Sequence, residues 1–121
     1  MSPNEKAIGI YHRPKVPMYT VRVTVVKTHP DCAAEHKVDD TFEISHVRRG
    51  GQKGFMCPSA FHGLYDIIYA MRYGAEFPWS EERDSYIAHC CDPINTVVFK
   101  IERLRDKIWT ADQDARVNSR A

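Results

Sequence analysis

From Met18 to Lys27 apolar and polar side chains alternate one by one, with Tyr19, Val21, Val23 and Val25 on one side and Thr20, Arg22 and Thr24 on the other. Strict alternation of this kind predicts a strand with one face buried and one in water. Residues 41–47 alternate again through Phe42, Ile44 and His46 and predict a second, shorter strand. Between the two, Thr28-His29-Pro30-Asp31 breaks the pattern, and residues 32–40 are polar with room for a short helical turn. The period then changes. Across 59–73, Phe61, Leu64, Ile68 and Met71 recur at steps of three and four, widened by Ile67, which predicts an amphipathic helix. Pro58 suits the first helical position, which puts Cys57 at the N-cap with Ser59 as the rival, and Gly74 supplies the stop.

Beyond the helix, Phe77-Pro78-Trp79 is a proline-stiffened aromatic turn. Residues 86–90 and 96–104 read as third and fourth strands joined by the tight turn Asp92-Pro93-Ile94-Asn95, with Val97, Phe99 and Ile101 facing inward. The order strand, strand, helix, strand, strand predicts an α+β fold: one helix on a mostly antiparallel four-stranded sheet. The pattern divides the chain into an N-terminal arm (1–17), an α+β domain (18–104) and a C-terminal tail (105–121) in which Ile108 and Trp109 interrupt a polar run.

With 121 residues there is room for one domain, and a net charge of +1 gives no pull toward nucleic acid or an acidic membrane surface. The apolar runs are only a few residues long, and residues 1–6 lack the pattern of a secretory signal. Four cysteines, two of them adjacent at Cys90 and Cys91, do not form the spacing of a small secreted framework. Reduced thiols in a cytoplasmic protein are the expectation.

Several motifs together resemble a family of small prokaryotic proteins, common in anaerobes, for which no activity is established. They are Gly54-Phe55-Met56-Cys57-Pro58, the helix end Met71-Arg72-Tyr73-Gly74, Phe77-Pro78-Trp79, and Cys90 followed by Val97-Val98-Phe99-Lys100-Ile101-Glu102-Arg103. The family carries Gly-Phe-Cys-Pro, Phe-Pro-Trp and Cys-Cys-x-Asp-Gly motifs before a Val-Val-Phe-Lys-Ile-Glu-Arg strand, and the resemblance spans residues 18–104. Laid on that pattern, His89 stands at the first cysteine, Cys90 at the second and Asp92 at the aspartate. Pro93 replaces the glycine, Cys91 lies outside the pattern, and Ser59 replaces an aromatic residue. If the family's thiols hold a metal, histidine is a workable replacement; if they form a redox pair, the replacement removes it.

Three kinds of chemistry are worth weighing. Cys57, His62, His89, Cys90 and Cys91 supply thiolate and imidazole donors of the kind zinc or iron accepts, but no Cys-x-x-Cys pair organises them. Cys57 at a helix start, with His62 or His89 as base and Asp66 behind His62, is the outline of a thiol nucleophile. Tyr65, Tyr69 and Tyr73 step by four along the helix, and Phe77 and Trp79 follow. Such an aromatic surface lines a ligand pocket, stacks bases or docks a protein. A basic loop, Arg48-Arg49-Gly50-Gly51-Gln52-Lys53-Gly54, lacks the spacing of a phosphate cradle, and with Arg22 it makes a thin case for nucleic acid. The bland alternatives are a capping, packed Cys57, solvated loop charges and a half-buried aromatic flank.

With no complete catalytic constellation legible, the expectation is a protein that works by association, as an accessory or structural subunit of a larger metabolic enzyme assembly or as a homo-oligomer. Ile8, Ile10, Tyr11, Ile108 and Trp109 are expected to be buried against the other chain. Metal- or thiol-dependent activity at Cys57, His89, Cys90 and Cys91 is the alternative.

Overall fold

The computed structural model describes residues 18–45 and 56–109, so the arm, the basic glycine-rich loop and residues 110–121 lie outside it. Strands β1 (Met18–Lys27) and β2 (Thr41–Ile44) are followed by helix α1 (Pro58–Arg72) and strands β3 (Ser85–His89) and β4 (Val98–Trp109). All pairings are antiparallel, and the sheet order is β2-β1-β4-β3. This is the α+β fold that the alternation and the single helical stripe predict. The central pair joins the first strand to the last, so the sheet closes only when distant parts of the chain meet.

Register places the core. Val25 pairs with Phe99, Val23 with Ile101 and Val21 with Arg103, so every second residue of β1 and β4 faces the helix. Val21, Val23, Val25, Phe99 and Ile101 are fully buried there against Leu64, Ile68 and Met71 of α1. Each such side chain contributes about 1.5–3 kcal/mol by leaving water. Val97 and Phe99 point inward as their pattern implies. On the sheet's other face, Arg22 lies directly opposite Glu43, and Lys107 reaches the same carboxylate at 2.9 Å. The Lys107 hydrogen bond is the main reason the Glu43 pKa falls below its ordinary value; the Arg22 contact adds to it.

Two elements differ from expectation. Residues 28–40 form successive turns with no helix, and Glu35 (φ 55°) and Asp39 (φ 75°) both take left-handed backbone there. The fourth strand, expected to end at Leu104, continues to Trp109. Its pairing jumps from Thr20–Leu104 to Tyr19–Ile108, so Arg105, Asp106 and Lys107 bulge out of the ladder. That charged bulge hides the strand's last turn of pairing from any alternation pattern.

The helix ends as Gly74 predicts. Gly74 has φ +91°, its N–H donates to the Met71 carbonyl at 3.1 Å, and the Ala75 N–H donates to Ala70 at 3.0 Å. This paired closure needs a left-handed residue, and glycine has no Cβ to oppose it.

Candidate functional site

Two places in the fold concentrate chemistry: the start of α1, where sulfur and imidazole meet, and its outer flank, where the tyrosines lie.

Cys57 is the N-cap residue and Pro58 opens the helix, as the sequence implies, but the thiol makes no capping hydrogen bond. The Cys57 carbonyl instead accepts the first helical bond, from the Phe61 N–H at 2.9 Å. Its own backbone N–H donates to Nε2 of His36 at 3.2 Å. His36 is buried, edge-on to Phe42 and Phe99, with ring centroids 5.7 Å away in each case. A ring nitrogen that accepts from a backbone N–H carries no proton, so the proton sits on Nδ1. Nδ1 therefore faces Cys32 Sγ, 3.8 Å away, as a donor. This histidine is satisfied on both sides. It ties the loop after β1 to the first turn of α1, and its tautomer leaves Nδ1 no lone pair to offer a metal or a thiol proton.

The residues singled out from sequence are placed differently. His62 is exposed on the helix. His89 is exposed at the end of β3, with Nδ1 2.7 Å from the Cys90 carbonyl, and Cys91 is exposed in the turn. Cys90 is partly buried against the core, and its sulfur accepts the Val97 N–H at 3.2 Å while its N–H donates to the Val97 carbonyl. Cys57 also packs on the core. Among the described residues, no three His, Cys, Asp or Glu side chains come together as a group able to hold a metal ion. The histidine that meets Cys57 is His36, not His62 or His89, and Cys32 joins it. Sequence reasoning missed both because they lie in the polar turns between two strands, where no periodicity marks an inward residue.

Several motif residues hold the architecture. Asp92 Oδ1 accepts the Ile94 and Asn95 N–H groups at 2.9 and 3.0 Å, and these bonds, Asn95 first, lower its pKa. The turn they close brings Cys90 to Val97. Arg103 occupies a core-facing register position with a fully buried side chain. Its Nη1 donates to the Met71 and Ala75 carbonyls, both at 2.9 Å, its Nη2 to Arg83 at 2.8 Å and its Nε to Asp84 Oδ1 at 3.0 Å. One guanidinium thus joins β4, the end of α1 and the loop that follows. Arg105 grips the same carboxylate through Nε at 2.8 and 2.9 Å. That grip, with help from Arg103, lowers the Asp84 pKa to about 2.

The outer flank of α1 is built by the four-residue step. Phe61, Tyr65, Tyr69 and Tyr73 form a continuous ladder, with ring centroids 5.6, 5.8 and 4.9 Å apart in turn. The three tyrosines are 41%, 48% and 45% exposed. Partial burial, followed by the neighbouring Tyr69 phenol, raises the Tyr73 pKa above its usual value. Next along the chain, Phe77 stacks on Trp79 at 5.4 Å and meets Tyr86 edge-on at 5.2 Å. Trp79 remains 67% exposed although its indole N–H reaches the Tyr86 hydroxyl at 3.4 Å. The arrangement presents broad aromatic faces held in place by packing beneath them.

Arg22, offered as part of a basic edge, is paired with Glu43; Arg48, Arg49 and Lys53 lie outside the described residues, as do Ile8, Ile10 and Tyr11. Ile108 is 51% exposed. No helix of the described residues is long and apolar enough to cross a membrane. No protein-family model, curated protein or solved structure matches this chain.

Proposed function

We propose that this protein works by association, as a small accessory or structural subunit of a larger enzyme assembly, with the tyrosine ladder of α1 as its docking face. The observation that carries the reading is that Tyr65, Tyr69 and Tyr73 touch one another yet are each nearly half exposed. Scattered exposed aromatics are ordinary; a contiguous row is the kind of surface that a partner covers. Tyrosine and tryptophan are enriched at interface centres because they bury large area at small entropic cost and keep a polar tip for hydrogen bonding. Trp79, on its proline-stiffened turn, is a second anchor of the same kind.

The test is the native mass of the protein in extract of its own host, compared with that of the Tyr65→Ser/Tyr69→Ser/Tyr73→Ser variant. The wild type is expected in a particle well above its 14.0 kDa monomer mass, and the variant at the monomer position. A wild-type protein at monomer mass, or a variant that keeps its place in the particle, contradicts the proposal.

A further inference from the structure

Among the described residues the fold buries two arginines and treats them differently; the inference from that contrast rests on the docking reading and names the partner's chemistry. Arg103 directs its N–H groups at three carbonyls and a carboxylate. Arg72, the last residue of α1, is only 9% exposed, yet its Nε is sealed from solvent with no hydrogen-bond partner. Among the described residues no carboxylate pairs with it. Its guanidinium lies 6.0 Å from the centroid of the Tyr73 ring.

The spacing of charges explains the missing partner. A carboxylate three or four residues away on the helix would pair with Arg72, but those positions hold Tyr69 and Ile68. Asp66 is the one carboxylate of α1, and six positions place it about 120° round the helix. Glu76, four residues on, is engaged by Arg83. Arg72 follows Tyr69 by three residues and Tyr65 by seven, so it lies along the core-side edge of the ladder, next to buried Ile68. A guanidinium left without acceptors there costs stability, whereas one that receives a carboxylate forms short, charge-assisted bonds. One cation calls for one negative charge. A phosphate dianion would be only half compensated and would meet Asp66 on the same helix, so a carboxylate is the better match.

We propose that the partner covers the ladder with an acidic protein segment: one Asp or Glu carboxylate is received by Arg72 beside Tyr73, and the apolar side chains flanking it lie on Tyr65 and Tyr69.

NMR titration of the full-length chain tests this, with the Arg72 Nε–H signal assigned by its absence in Arg72→Met. The probes are acetyl-Leu-Glu-Leu-amide and its counterparts with Gln or phosphoserine in place of Glu. The Glu peptide is expected to move the Arg72 signal, with the Gln peptide bound about tenfold more weakly and the phosphoserine peptide no tighter than Glu. Arg72→Met is expected to lose the preference for Glu over Gln and to melt no lower than wild type, because an apolar chain replaces an unpaired charge. Equal binding of the Glu and Gln peptides, no binding of either at millimolar concentration, or tighter binding of phosphoserine overturns the inference. So does an Arg72→Met protein that melts well below wild type, since the arginine then has a structural partner. The docking reading is decided separately, by the host-extract mass of the triple tyrosine variant. If Arg72→Met keeps its place in a particle that the tyrosine variant leaves, the ladder stands and the role of Arg72 is overturned.

Discussion

Arg103 on the last strand donates to the Met71 carbonyl in the final turn of α1 at 2.9 Å. The bond crosses from sheet to helix inside the core, where an arginine is tolerated only if its N–H groups are all directed at acceptors. Arg103→Lys keeps the charge and loses the fork. It is expected to destabilise the fold by about 2–4 kcal/mol, since several buried carbonyls lose a charged donor at once. Urea unfolding measures this directly. A loss below about 0.5 kcal/mol, the size expected of an ordinary surface change, would show that the guanidinium is not the clamp described.

Gly74→Ala isolates backbone conformation from packing. An added Cβ meets nothing closer than Tyr19 Cε2 at 3.7 Å, an ordinary contact, but the φ of +91° disfavours any L side chain. The expected cost is about 1 kcal/mol, read as a lower melting temperature without a change in the aromatic spectrum. At Glu35, where φ is 55°, the opposite substitution applies: Glu35→Gly relieves strain and is expected to leave stability equal or slightly higher.

Acid stability should report on Asp84. Its carboxyl titrates near 2 in the folded protein, below the ordinary 3.8, chiefly because of Arg105. A depressed folded pKa means the stabilisation is complete above the unfolded value and fades as pH falls toward 2. Asp84→Asn is therefore expected to be less stable than wild type at pH 6, with the gap narrowing below pH 4. Thermal melts across that range check it; a gap that stays constant down to pH 2 would contradict the pairing.

His36 is the hinge between the β1–β2 turns and the helix start. His36→Ala leaves the Cys57 N–H without its acceptor and opens space beside Phe42 and Phe99, for an expected loss of about 2–4 kcal/mol. The Cys57 amide resonance should move and exchange faster with solvent, while amides in β3 hold still. An undisturbed Cys57 amide would remove His36 from this role.

How much of this was legible in the residues depends on where periodicity survives. β1 is readable because Val21, Val23 and Val25 face a core and Arg22 and Thr24 do not. The helix is readable from Leu64, Ile68 and Met71, and its end from Gly74. The Arg103 clamp was not: an arginine at the end of a strand looks like a surface residue unless the carbonyls beneath it are known. The His36–Cys57 contact joins residues 21 apart across two elements, and no local pattern reports such a pairing. The tyrosine row was visible from its spacing alone. Its degree of exposure was not, because a four-residue step is compatible with a buried flank as well as an open one.

Hydroxyl-radical footprinting, read by mass spectrometry at individual side chains, tests the docking claim most directly. In the assembled protein Tyr65, Tyr69, Tyr73 and Trp79 are expected to be protected several-fold relative to the dissociated chain, while exposed Ile87 and Ile94 on other surfaces react equally in both. Equal labelling of the four aromatic residues in both states would mean that nothing covers the ladder, and the account of association through α1 would be wrong.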